Sequence, residues 1–184
     1  DTDSSDLSVS SIQPTAGGAT MKDAAGNAIS TTVTGGDLGT VTVDGAVPVF
    51  SSVAATDGAY GVGDVLTITV TWDEACIGTS ATLTLSNSDV AAYSSGSGTT
   101  ALVFTTTIAE NDGTDADVAV SAYGGTIADA AGGTAGAASG DLGAVSIDGD
   151  APDYSSIADS GDGAYGVGED ITITVTWDEA VVTS

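Results

Sequence analysis

Gly58-Ala-Tyr-Gly-Val-Gly-Asp-Val-Leu-Thr-Ile-Thr-Val-Thr-Trp-Asp-Glu-Ala75 decides how this chain is read, because Gly163-Ala-Tyr-Gly-Val-Gly-Glu-Asp-Ile-Thr-Ile-Thr-Val-Thr-Trp-Asp-Glu-Ala180 repeats it nearly letter for letter. Trp72 recurs as Trp177, a period of 105 residues, which is the size of a domain. In each copy apolar residues alternate with Thr: Leu66, Ile68, Val70 and Trp72 in the first, Ile171, Ile173, Val175 and Trp177 in the second. A period of two marks a half-buried strand with its Thr face toward water. The glycines before it supply turn geometry, and Asp73-Glu74 places two adjacent carboxylates just beyond it.

Working outward, residues 1–43 read as two strands, one with Leu7, Val9 and Ile12 and the other with Val41 and Val43, joined by a long polar loop. Their sequence recurs later. Gly17-Gly-Ala-Thr-Met-Lys-Asp-Ala-Ala-Gly26 matches Gly124-Gly-Thr-Ile-Ala-Asp-Ala-Ala-Gly132, and Gly36-Asp-Leu-Gly39 matches Gly140-Asp-Leu-Gly143. Residues 44–147 then hold a complete repeat of seven expected strands. These are Pro48 to Ala54, the Trp72 strand, Ala81 to Leu85, Val90 to Tyr93, and strands marked by Leu102, Phe104 and Ile108, by Val118 and Val120, and by Val145 and Ile147. The expected core is Phe50, Leu66, Ile68, Val70, Trp72, Leu83, Leu102, Phe104, Val118 and Val145. Residues 148–184 open the next repeat. The divisions are therefore 1–43, the C-terminal part of one repeat; 44–147, complete; and 148–184, the N-terminal part of another. Seven short strands per repeat and no helical periodicity predict an all-β, tandem immunoglobulin-like Greek-key sandwich.

Composition narrows function. With 26 Asp and Glu against a single Lys or Arg, Lys22, and no His, the formal charge is −25. Nucleic-acid phosphates would be repelled, so no nucleic-acid partner is expected. At 41 % apolar residues the chain is hydrophobic enough to fold despite its charge. Cys76 is the sole cysteine and reads as a small buried hydrophobe. No apolar run reaches the roughly 20 residues of a membrane helix, so no membrane insertion is expected in this segment. Without His, neither Ser-His nor Cys-His catalysis is available, and a duplicated scaffold without a recognisable cleft argues against an enzyme.

The chemistry that remains is cation binding. The pole where each repeat begins carries Asp44, Asp73 and Glu74, repeated as Asp148, Asp150, Asp178 and Glu179. The opposite pole carries Asp57, Asp64, Asn111, Asp112, Asp115 and Asp117, and stacking two repeats brings these poles together. Oxygen ligands without His or Cys suit Ca²⁺, which takes about 6 to 8 of them. The alternative is that these acids are a solvated surface. Trp72 and Trp177 read as core residues, and Tyr60 and Tyr165 as turn-packing residues.

These motifs carry a resemblance: Asp-Gly-x-x-Pro, Gly-x-Tyr-Gly-x-Gly-Asp-x-Leu-x-Ile-x-Val-x-Trp-Asp-Glu-Ala, Ser94-Ser-Gly-Ser-Gly-Thr-Thr-Ala-Leu102, Asn111-Asp112 and Gly125-Thr-Ile-x-Asp-Ala-Ala-Gly132. Together they resemble the tandem Ig-like, cadherin-like repeats of very large bacterial surface proteins and adhesins, including RTX-type adhesins. The resemblance spans essentially the whole chain. It implies an extracellular or cell-surface location and a structural extender role in an adhesin stalk, fibre or filament, with calcium at the junctions. The expected partners are neighbouring repeats of the same polypeptide or further copies joined head to tail. A carbohydrate-binding or adhesive module and a surface-layer lattice subunit are the alternatives. Cys76 departs from the Val expected there and seen at Val181, and nothing resembles a terminal ligand-binding domain.

Overall fold

The computed structural model describes residues 7–12 and 21–182; the acidic stretch 1–6 and the Gly17-Gly18 part of the first loop lie outside the described residues. Among the described residues the secondary structure is all β. The strands are β1 (Phe50–Ala55), β2 (Gly58–Gly61), β3 (Val65–Cys76), β4 (Thr82–Leu85), β5 (Val90–Ser95), β6 (Thr99–Thr107), β7 (Thr114–Asp115), β8 (Ala119–Gly124), β9 (Gly140–Asp141), β10 (Val145–Asp148), β11 (Tyr154–Asp159) and β12 (Ile173–Trp177). Among the described residues no helix is long and apolar enough to cross a membrane.

β3 is the spine. Leu66, Ile68, Val70 and Trp72 are buried on one face, as alternation requires, and antiparallel partners flank it, β1 on one side and β6 on the other. Because both neighbours are present, Thr69 and Thr71 are half-buried instead of fully exposed. Seven strands join in the order β1-β3-β6-β5-β4-β8-β9. This sheet curls until its two edges meet: Val53 and Phe50 of β1 lie against Gly140 of β9. A Cβ at position 140 would sit 2.9 Å from Val53 Cγ1, so a side chain there would force Val53 to move. A smaller sheet, β2-β10-β7, completes a sandwich-like or barrel-like arrangement, with β10 running parallel to β2 and antiparallel to β7.

The interior matches the expected core. Leu66, Ile68, Val70, Trp72, Leu83, Leu102, Phe104, Val118 and Val145 are buried, and Phe50 is half-buried. Phe50 packs edge-on to Trp72 at 6.0 Å between ring centroids, Trp72 does the same to Tyr123 at 6.2 Å, and Tyr93 to Phe104 at 6.1 Å. A strand lies at each position expected between residues 44 and 147, whereas the two strands expected in residues 1–43 are reduced, among the described residues, to isolated bridges such as Ser8–Asp37 and Ser11–Thr32. The short strands β2, β7 and β9 were not anticipated, and the pairing is one large closed sheet with a small one.

The flanking segments reuse the same pairings. β11 pairs with β12 as β1 pairs with β3: Tyr154 faces Trp177 as Phe50 faces Trp72, and a bulge follows at the same position in each. On the N-terminal side, Leu7 N donates to Val41 O and Leu38 N to Leu7 O, as Val118 N donates to Val145 O and Leu142 N to Val118 O. The flanking apolar residues, however, are exposed. Ile173, Val175 and Trp177 retain 62 %, 45 % and 40 % exposure, where their counterparts Ile68, Val70 and Trp72 retain 2 % or less.

Candidate metal centre

Many acids of this chain are bonded to backbone, and the bonds recur with the repeat. Asp73 accepts the Val49 N–H at 2.7 Å while its own N–H donates to Val49 O; Asp178 accepts from Asp153 N at 2.8 Å and donates to Asp153 O. Asp64 accepts from Gly61 N at 2.9 Å, and Glu169 does the same for Gly166 N. These carboxylates fasten the start of the first strand and close the glycine turn. Tyr60 and Tyr165 close the same segment by donating to Thr56 O and Gly161 O. At the opposite pole, Asp57 accepts from Ala144 N, Asp112 from Ala109 N, and Asp115 from Asp117 N and Ser86 Oγ.

Three acids converge differently. One carboxylate oxygen from each of Asp44, Glu74 and Asp129 lies within 4.8 Å of the others. Glu74 is placed by the end of β3, and Asp44 precedes β1. Asp129 is delivered by the loop after β8, which is fastened beside the end of β3 by two backbone bonds: Ile77 N to Ala128 O at 2.6 Å and Ala128 N to Ile77 O at 3.0 Å. Asp129 is 5 % exposed. Its Oδ1 accepts from Ala131 N at 2.7 Å and Gly133 N at 2.9 Å, whereas its Oδ2 is buried without a hydrogen-bond partner. Leaving a buried acceptor unsatisfied costs about 1–3 kcal/mol, and more when it is charged. Two unit charges 4 Å apart repel by about 4 kcal/mol at a protein-surface dielectric. A hard divalent cation answers both costs, and an all-carboxylate donor set fits calcium. Asp44, Glu74 and Asp129 are the residues that would hold it.

A second concentration of charge lies where β10 hands over to β11. Thr114 Oγ1 donates to Asp148 Oδ1 at 3.3 Å and to Asp150 Oδ2 at 3.4 Å, and Ala151 N donates to Glu110 Oε1. Asn111 N donates to Gly149 O, and Gly149 N to Gly113 O. Asp148, Asp150, Pro152 and Glu179 face Gly61 and Val62 across an open cleft. Partial desolvation pushes the Glu179 carboxyl up from its ordinary range, with repulsion from Asp148, Asp178, Asp150 and Glu110 adding to it.

Of the residues expected at the start of the repeat, the structure places Asp44 beside Glu74 while Asp73 is bonded to Val49, and Asp148, Asp150 and Glu179 line the cleft at Gly61 and Val62. Asp129 was missed. The recurrence of Asp-Ala-Ala-Gly at Asp23 and Asp129 was visible, but alternation cannot indicate which loop acid becomes buried. Compared with known protein families, curated proteins and solved structures, the chain has no significant match.

Proposed function

We propose that this chain is a structural segment of an extracellular repeat protein, in which tandem Ig-like Greek-key modules spanning 44–147 and its neighbours form a stalk, fibre or filament stiffened by calcium. The observation that carries the reading is the recurrence, at β1–β3 and β11–β12, of the same hairpin with the same bulge and the same carboxylate fastening through Asp73 and Asp178. A unit copied with its side-chain bonds suits a building element. In the complete repeat Trp72 and Phe104 lie in the core, and the exposed Trp177 and Tyr154 are the counterparts of Trp72 and Phe50, so they read as an uncovered core face and favour an extender over a carbohydrate-binding module.

In this reading calcium at Asp44, Glu74 and Asp129 ties the entry of a module to its late loop. Asp148, Asp150, Asp178 and Glu179, facing Asn111, Asp112 and Asp115, form the acidic seam between successive modules. Strands of a neighbouring repeat, in the same polypeptide or another copy, cover the exposed apolar face of β11–β12. Electron microscopy of the native material tests this: thin fibres or stalks are expected, and a two-dimensional array would favour a lattice subunit instead.

A further inference from the structure

We propose that Gly133 determines whether the loop beginning at Asp129 takes a calcium-sized divalent cation or closes on itself. This rests on the cation reading above and names the residue that sets it.

The chain contains two loops of the sequence Asp-Ala-Ala-Gly, one followed by Asn27 and the other by Gly133. Their backbones are bonded alike. Asp23 Oδ1 accepts from Ala25 N at 2.9 Å and Asn27 N at 2.8 Å; Asp129 Oδ1 accepts from Ala131 N and Gly133 N. They part at the second oxygen. Asp23 Oδ2 accepts the side-chain amide of Asn27 at 2.9 Å, and these bonds hold the Asp23 carboxyl below its ordinary range. Asp129 Oδ2, buried, has no such donor because residue 133 has no side chain.

Backbone conformation does not call for the glycine, since Gly133 lies outside the left-handed region where glycine is favoured. Space does. A Cβ at 133 would stand 2.2 Å from Asp129 Oδ2 and 2.9 Å from the Ala46 carbonyl oxygen. Any side chain there must displace the carboxylate oxygen, and an asparagine would also offer it an amide. With glycine the position a Cβ would fill stays open, and both Asp129 Oδ2 and the Ala46 carbonyl border it; a backbone carbonyl is a ligand that calcium accepts readily. The amide and the cation are alternative partners for the same oxygen.

The test is thermal unfolding of the 184-residue chain, titrated separately with CaCl₂ and MgCl₂ at constant ionic strength, for wild type, G133N, G133A and D129N. Wild type should gain stability with calcium more than with magnesium, and D129N should lose that gain. G133N and G133A should bind calcium at least tenfold more weakly, with G133N retaining the higher cation-free melting temperature of the two. If G133N does not fold, the calcium dependence of G133A decides. A wild-type chain indifferent to calcium overturns the cation reading and this inference together. If wild type and both Gly133 variants respond equally while D129N does not, the inference alone falls. A D129N response equal to wild type moves the site elsewhere and also overturns it.

Discussion

Phe104 sits at the centre of the sheet, fully buried and edge-on to Tyr93, so its removal leaves a void that neighbouring strands cannot close. Phe104→Ala should destabilise by about 3–5 kcal/mol in denaturant unfolding, and a change within error would place β6 outside the core. Cys76 is equally inaccessible, its Sγ donating to Glu74 O at 3.4 Å. Burial raises its thiol from 9.0 to about 11, with Glu74, Asp73 and Asp129 adding to the shift. The folded thiol is therefore protonated at neutral pH and inert. An aromatic disulfide reagent at pH 8 should label it only after denaturation, and rapid labelling of the native chain would contradict its burial. Since the folded value is the higher one, Cys76's share of stability is intact below pH 9 and is lost as pH rises from about 9 through 11.

At the scale of elements, Asp73 acts as a fastener for β1. Asp73→Ala should cost about 1–2 kcal/mol and speed hydrogen exchange at the Val49 amide, whereas unchanged exchange would mean the strand is held by packing alone. The long strands were legible because Leu66 to Trp72 and Leu102 to Phe104 alternate, and alternation is a direct record of one buried face. β2, β7 and β9 were not, since two to four residues rich in Gly, Ala and Asp carry no such record. Their pairing is imposed by partners distant in sequence, as with Gly58 and Val145. The candidate centre was half legible for the same reason. Asp44 and Glu74 flank recognisable strands, whereas the burial of Asp129 follows from the way its loop is fastened to Ile77.

For the molecule as a whole, the proposed calcium-stiffened assembly would tie stability to cations. Chelation at fixed ionic strength should lower the melting temperature and broaden the particle-distance distribution in small-angle scattering; if neither changes, the clustered acids are only solvated surface. Acid acts in the opposite direction at the seam. Glu179 has a raised folded value, so its unfavourable contribution is relieved as pH falls through that value and returns as pH rises through it. Asp23, with a lowered value, loses its contribution as pH falls, so stability should pass through a maximum on the acidic side. The parallel pairing of β2 with β10 has a further consequence for a chain built into a fibre. A tensile load on the repeat enters ahead of β1 and leaves after Asp148, drawing Gly58 and Asp148 apart along their common axis. The ladder from Val145–Gly58 to Asp148–Gly61 is then sheared, its bonds resisting together instead of parting one after another as in a peeled hairpin. Pulling single chains by their ends should thus give one abrupt rupture for the complete repeat, and Ser146→Pro, which removes a donor from that ladder, should lower the rupture force.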